Sequence, residues 1–482
     1  MKIVKHSIYN ILGLGLPLVA AIFSIPYLVV NLGDSRFGLL TLVWAVTSYF
    51  GLFDLGLGRA LTQELAKLIA LNRCKEIAPT IFTSLIILAL LGIFGALLMT
   101  LFALMGIQYL KDLQDINEVR GAIYWMALAM PAITLTSGLR GIFEANHAFG
   151  IVNLIRLPMG LLTFLGPVLV IASGHSNLID ITAVLCLSRI LACATHFFFL
   201  KKVMPLNDAS YFFQMNLVKS LLVNGGWMTL SNIISPLMGY IDRFMLGMIV
   251  SAAAVAYFVT PQEIVTKIWI IPGALTTILF PSFATYAERD CAKVLSLFDK
   301  AVLALALLVL PITLFLVLFA DQIMEKWVGV DFARHSSNLL QIFSFGIFVN
   351  CLAHVPYTLI QGVGESKLSA FIHCIIFPLF VFALWFLINS YQEVGAAIAW
   401  LLRILIDAVL MFMTSHFIFK WPLSRFLSKQ FLTLSVLTII AFGGVFFTSI
   451  ILKVVWFFAV SAICVSAFYV KFLPKFYATK IK

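Results

Sequence analysis

Apolar runs long enough to cross a bilayer follow one another along this chain with almost nothing between them. About fourteen can be marked off, beginning near Ser7, Phe37, Pro79, Gly121, Leu157, Leu178, Ser220, Ala254, Ala301, Leu339, Ala370, Gly395, Phe431 and Val454. Hydrocarbon offers no hydrogen bonds, so a backbone that crosses it must bond to itself, and runs of this length do so as helices. The expected fold is therefore all-α and integral to a membrane. Composition agrees: 62% of the residues are hydrophobic and 11% charged, against about 25% charged in soluble domains. Lys2 and Lys5 before an apolar run invite comparison with a secretory signal. The run from Ile8 to Val30 is too long for that and leads directly into a second span, so it reads as an uncleaved first helix.

The net charge of +11 raises the question of nucleic acid, and the placement of the cations answers it. Lys2, Lys5, Arg59, Lys67, Arg73, Lys75, Arg140, Arg156, Lys201, Lys202, Lys219, Arg289, Lys293, Lys300, Lys367, Lys420, Arg425, Lys429, Lys471, Lys475, Lys480 and Lys482 fall in alternate inter-span segments. The intervening segments hold only Arg36, Lys111, Arg120, Arg243, Lys326, Arg334 and Lys453. An asymmetry of about threefold is the positive-inside pattern and predicts both termini in the cytoplasm. The basicity is topology, and its partners are anionic membrane lipids rather than nucleic acid.

A repeat lies under the helices. Asn10 and Gly33 recur as Asn224 and Gly247, and Leu187-Ser188-Arg189-Ile190-Leu191 recurs as Leu401-Leu402-Arg403-Ile404-Leu405, all at an offset of 214 residues. Six helices per unit make the copies parallel. The predicted organisation is a six-helix bundle over 1–200, a polar linker over 201–219, a second six-helix bundle over 220–419, and two further helices with a basic tail over 420–482. The longest loop on the outer side runs from about Asp321 to Asn338. Glu288 to Lys300 has the alternation of a short interfacial helix or of a solvated loop.

Charges inside hydrocarbon cost about 2.5–3.5 kcal/mol on insertion scales, so each one is a functional candidate. Arg189 stands near the middle of the sixth span with no acid one turn away. Its repeat mate Arg403 has Asp407 at i+4, and Lys267 in the eighth span has Glu263 at i−4; both spacings allow a pair on one helix face. Asp54 sits in Asp54-Leu55-Gly56-Leu57-Gly58, at a bend or at the end of the second span. Arg140 and Glu144 close the fourth span in the same way. His196, His354, His373 and His416 form no metal-ligand spacing, and the seven cysteines are scattered singly, so no metal and no cofactor is expected. Pro17, Pro26, Pro131, Pro167, Pro236, Pro272 and Pro311 mark expected kinks.

The run from Asn10 to Lys67, with Asn31-Leu32-Gly33, Phe37-Gly38, Trp44 and Asp54-Leu55-Gly56-Leu57-Gly58, resembles the polysaccharide flippases of the multidrug/oligosaccharidyl-lipid/polysaccharide exporter superfamily. Tyr240-Ile241-Asp242-Arg243-Phe244-Met245-Leu246-Gly247 echoes it. The resemblance implies a bacterial inner-membrane transporter, not an enzyme, whose two bundles enclose a cavity opened alternately to each side. The implied cargo is an oligosaccharide repeat, such as an O-antigen unit, carried on a polyprenyl pyrophosphate. A polysaccharide polymerase and a chain-length regulator are the implied neighbours in that pathway. Arg189, Lys267 and Arg403 are then the candidates for the pyrophosphate, and Asp54, Glu263 and Asp407 for a coupling ion. A cation-coupled drug exporter or a peptidoglycan lipid precursor flippase would share the fold. A membrane polymerase fits less well, because no long outer loop carries paired carboxylates.

Overall fold

A computed structural model describes residues 2–50, 57–111, 115–204, 212–215, 226–287, 290–422 and 429–478. Every regular element among them is helical. In chain order these are α1 (Lys2–Phe50), α2 (Leu57–Ala70), α3 (Cys74–Leu101), α4 (Ile116–Ala145), α5 (Phe149–Ala172), α6 (Leu178–Val203), α7 (Gly226–Ile249), α8 (Ala252–Thr266), α9 (Ile270–Ala287), α10 (Cys291–Leu318), α11 (Ala320–Val328), α12 (Val330–Gly362), α13 (Ser366–Phe419), α14 (Lys429–Gly443) and α15 (Ile450–Ala478).

Ten of the described helical stretches are long and apolar enough to cross a membrane. Two of these bend sharply. α1 breaks at Gly33, whose φ of 73° and ψ of 165° belong to a region that essentially only glycine occupies. α13 is 54 residues long and breaks at Gln392 (φ 52°, ψ −130°); at 1.5 Å per residue it is far longer than one bilayer crossing. With α1 and α13 each counted as two arms, and with α7 and the shorter apolar α14, the described residues hold the fourteen expected segments.

The two sharp breaks, at Gly33 and Gln392, do not fall at prolines. Pro17, Pro26, Pro131, Pro167 and Pro311 lie inside continuous helices, and the side chain of Pro236 lies outside the described residues. Only Pro272 sits beside a break. It offers no N–H to the carbonyl of Ile268, four residues earlier, and there the chain tightens into a 3₁₀ turn over Lys267–Trp269. One expected loop, and one stretch left open between helix and loop, also prove helical. The segment expected as the longest outer loop is α11 and the first turns of α12, separated by Gly329 at φ 99°. The stretch around Lys293 to Lys300 is the start of α10, where Val294 and Phe298 are buried with Phe283 and Trp421. Asp290 caps that helix by accepting the Lys293 N–H at 3.0 Å, and this bond holds its carboxyl below the usual range.

The chain divides into two compact units, Met1–Ala256 and Tyr257–Lys482. In the first, α4 is the hub, packed against α2, α3 and α6. Small residues make the close approach possible: a Cβ on Gly141 would lie 2.6 Å from the Gly58 carbonyl oxygen, and the Thr62 hydroxyl reaches the Gly141 carbonyl at 3.2 Å. Gly58 of the Asp-Leu-Gly-Leu-Gly run thus has a packing role. In the second unit α12 is the hub, against α9, α10, α11 and α13. The outer faces of both units are apolar, with Phe198, Leu97 and Phe382 among the exposed side chains, as a lipid solvent requires.

One partly buried ion pair ties three helices of the first unit. The Glu118 carboxylate, only 6% exposed, meets the Arg36 guanidinium at 3.0 Å. Its other oxygen accepts the Leu178 N–H at 2.7 Å, so it also satisfies a free donor at the start of α6.

Candidate functional site

The first unit contains a cavity of about 140 Å³ lined by Thr47, Ile133, Thr136, Ser137, Arg140, Met159 and Arg189. A water needs only about 10–15 Å³ by this measure, so the space admits several waters or a phosphate-sized group. Its walls come from α1, α4, α5 and α6. On α4, Thr136, Ser137 and Arg140 fall at i, i+1 and i+4, which a helix places toward one side. Trp44, one turn before Thr47, packs edge-on against Phe164 of α5 at 5.2 Å.

Arg189 reaches the cavity from α6. One of its terminal nitrogens donates to the Thr163 hydroxyl at 3.0 Å, while its buried Nε has no partner among the described residues. A guanidinium presents five donors, so this site leaves donor capacity unused. Arg140 stands 3.6 Å from Glu144. Arg156 on α5 lies within electrostatic reach of both. Arg140 and Glu144 are both part-exposed, and Arg140 lines the same cavity as the buried Arg189. A planar fork of donors suits phosphate oxygens in particular.

The other candidates from the sequence lie in the second unit, except Asp54, which lies outside the described residues. Glu263 and Lys267 form their expected pair, Oε2 to Nζ, at 2.7 Å. Lys267 opens the 3₁₀ turn, and Trp269 at its end donates to Asn350 of α12 at 2.8 Å. Arg403 lies over the Phe380 ring, 5.3 Å from its centroid. Asp407 meets a partner that spacing did not suggest: His373 Nε2, from the other arm of α13, is 3.2 Å from its Oδ1. His196 is a core residue, 2.7 Å from the Ala192 carbonyl and stacked on Phe143.

The Glu263–Lys267 pair is half-exposed and neutralises two charges on one face of α8. Glu263→Gln and Lys267→Met are each expected to lower the amount of protein inserted in the membrane, and the double variant is expected to regain the wild-type level. Immunoblots of membrane fractions check this. A double variant that inserts normally but supports no transport would place the pair in the transport path.

Sequence reading left Arg140 open between a bend and the end of the fourth span. The usable signal was its spacing from Thr136 and Ser137, which puts a cation and two hydroxyls on one face inside an apolar run.

A family model described as "Polysaccharide biosynthesis protein" matches residues 3–287. A Shigella flexneri protein named as an O-antigen transporter is 31% identical over 412 residues, covering 85% of this chain and 97% of that protein. Among solved structures, an inward-facing MATE family transporter of the MOP superfamily superposes with a TM-score of 0.72 at 15% identity, over 85% of this chain and 98% of its own. The lipid II flippase MurJ in an inward closed conformation also superposes with a TM-score of 0.72, at 13% identity, over 98% of this chain and 100% of its own. The MurJ match is long enough to take in the C-terminal α14 and α15. At these identities both likenesses concern the fold.

Proposed function

This chain belongs to the polysaccharide biosynthesis protein family, and on that footing we propose that it is a flippase. Its cargo is an oligosaccharide repeat of a surface polysaccharide such as O-antigen, linked through pyrophosphate to a polyprenol. It carries that cargo across the bacterial inner membrane by alternating access, and its role is transport, not catalysis. The observation that carries the substrate class is the Arg140–Arg189 cavity, where the buried Arg189 holds a guanidinium donor without a partner.

In this reading both termini are cytoplasmic, as the cation asymmetry suggests. The chain works as six helices over 1–200, a linker over 201–219, six helices over 220–419 and two more beyond 420. Arg189, Lys267 and Arg403 serve the anionic headgroup, and Asp54, Glu263 and Asp407 serve a coupling ion. Of these, Arg189 has the strongest support, because Lys267 already has Glu263 at 2.7 Å. A polymerase and a chain-length regulator act on the delivered repeat units.

Deleting the gene in its native host tests the proposal. The expected result is loss of the surface polysaccharide with lipid-linked repeat units accumulating on the cytoplasmic leaflet, both reversed by the plasmid-borne gene. Normal surface polysaccharide in the deletion strain would overturn it, and a block in cell-wall lipid precursor instead would point to the other lipid-linked cargo.

A further inference from the structure

The last two helices of the second unit form a hairpin that is closed at its turn and parted at its far end. At the turn the Trp456 indole N–H of α15 donates to the Ala441 carbonyl of α14 at 3.0 Å, and Phe447 packs edge-on against Trp456 at 5.4 Å. Among the described residues α14 and α15 otherwise pack mainly on α10 and little on each other. Burial follows the same gradient. Ala441, Leu437 and Leu434 share one face of α14, at i, i−4 and i−7; Ala441 is fully buried and the two leucines only partly. On α15, Val460 and Cys464 are buried, Ala467 is partly exposed and Lys471 is exposed. The space left between the parting helices is a cavity of about 400 Å³, lined also by Leu303 and Leu307 of α10. Its two polar residues, Thr433 and Lys471, stand at the ends of the apolar stretches Leu432–Phe446 and Ile450–Lys471.

We propose that this groove is a binding site for an anionic phospholipid of the surrounding leaflet, with an acyl chain between α10, α14 and α15 and the phosphate at Lys471. An apolar group must fill the groove. Apolar cavities stay dry, and an empty gap forfeits the dispersion contacts of its lining. Lipid is the solvent on this side of the unit, where Val436, Ile439, Val455 and Phe458 are exposed. Depth fits a molecule with a charged head and an apolar chain. Lys453 and Lys471 are eighteen residues apart on α15, which is about 27 Å and close to the hydrocarbon thickness of about 30 Å. Lys471 therefore stands at headgroup level, with the leucines of the groove at chain level. Charge selects the headgroup. From Ala408 to Lys482 the chain has eight lysines and arginines and no carboxylate. All but Lys453 fall at or before the start of α14, or from Lys471 onward. That is the end of the hairpin away from its turn, cytoplasmic in the orientation proposed above. An unopposed cluster of cations beside a membrane helix attracts anionic headgroups, whereas a zwitterionic headgroup brings its own cation into that field. The bound chain ties the hairpin to α10 by supplying the contacts that α14 and α15 do not make with each other.

Lipid titration of the purified full chain, read by native mass spectrometry, tests the site. The probes are phosphatidylglycerol and phosphatidylcholine with identical acyl chains. The unmodified chain is expected to prefer phosphatidylglycerol. Lys471→Gln should lose about fivefold of that preference, the attraction of one surface cation for an anionic lipid, with phosphatidylcholine binding unchanged. Lys367→Gln, which removes an exposed cation at the start of α13, should change neither. Ala467→Phe, which fills the groove beside Lys471, should weaken both lipids to the same degree. Equal affinity of the unmodified chain for the two lipids would overturn the proposal. So would an equal loss in Lys367→Gln, which would mean attraction by the surface as a whole, or unchanged binding in Ala467→Phe, which would put the chain elsewhere. If Ala467→Phe does not fold, the comparison of Lys471→Gln with Lys367→Gln decides, because both replace exposed side chains. Polyprenyl phosphate, added at equal concentration, is the competing occupant. Retention of bound phosphatidylglycerol supports the site, and its displacement would assign the groove to the chain of the cargo and overturn the proposal.

Discussion

Arg189→Ala, expressed at the wild-type level in the deletion strain, is expected to cut surface polysaccharide delivery by about a hundredfold. That corresponds to the loss of roughly 3 kcal/mol of charge-assisted hydrogen bonding to the headgroup. The same substitution is expected to leave folding stability unchanged or slightly improved. In the free protein the Arg189 guanidinium holds one hydroxyl, Thr163, and a buried Nε without a partner, so the folded state bears a desolvated charge that its surroundings do not repay. A residue kept against its own stability cost is kept for what it binds. Arg189→Lys should fall between the two, because a lysine restores the charge and not the planar fork of donors. Arg140→Ala should show a similar loss, and the double variant should lose less than the two single losses combined, since both residues line one cavity. The checks are the polysaccharide ladder on gels, immunoblots for level, and reversible SDS unfolding of the purified chain. Wild-type delivery by Arg189→Ala at normal level would remove Arg189 from the path of the cargo.

Glu118→Ala is expected to have the opposite signature, with stability lost first and transport lost only in consequence. The carboxylate holds Arg36, which follows the Gly33 bend of α1, and the first N–H of α6. Removing it leaves a guanidinium and a helix N-terminus without their acceptor. A fully buried pair broken in this way costs about 3–5 kcal/mol, and with Arg36 34% exposed a cost of about 2–3 kcal/mol is expected. Glu118→Gln should cost about half as much, since its amide oxygen can still accept from Leu178. SDS unfolding measures both. Complementation at reduced temperature should recover transport in Glu118→Ala, because a marginal fold gains from milder conditions while a missing binding group does not. An unchanged unfolding curve would show that this clamp carries no weight.

The two variants show which parts of the site were legible beforehand. Arg189 stood out because a lone arginine in an apolar run is conspicuous in any order of folding. Glu118 did not, since it lies at the start of a span where charges are common, and its partners are 82 and 60 residues away. Asp407 was visible as a charge in hydrocarbon with Arg403 at i−4, but its contact with His373, reached across the bend of α13, was not. Arg140 shared a face with two hydroxyls in the sequence, but its meaning depended on α6 bringing Arg189 to the same cavity. The loop expected from Asp321 to Asn338 was misread because its charges looked like solvent exposure. They line the polar side of α11 and the first turns of α12, while Met324 and Phe332 are buried.

By itself, the sequence determined that the chain is helical, spans the membrane many times and is built of the expected number of apolar segments. The physical reason is that a hydrocarbon solvent leaves a backbone one way to satisfy its hydrogen bonds, so length and hydropathy suffice. Tertiary structure alone decided which charges meet. Pairing inside the bilayer depends on which helix faces turn toward each other and where α1 and α13 bend, and the donors that matter come from helices far apart in the chain. The same arginines, histidines and carboxylates could be neutralised or poised for an anion, and only their packing distinguishes these states.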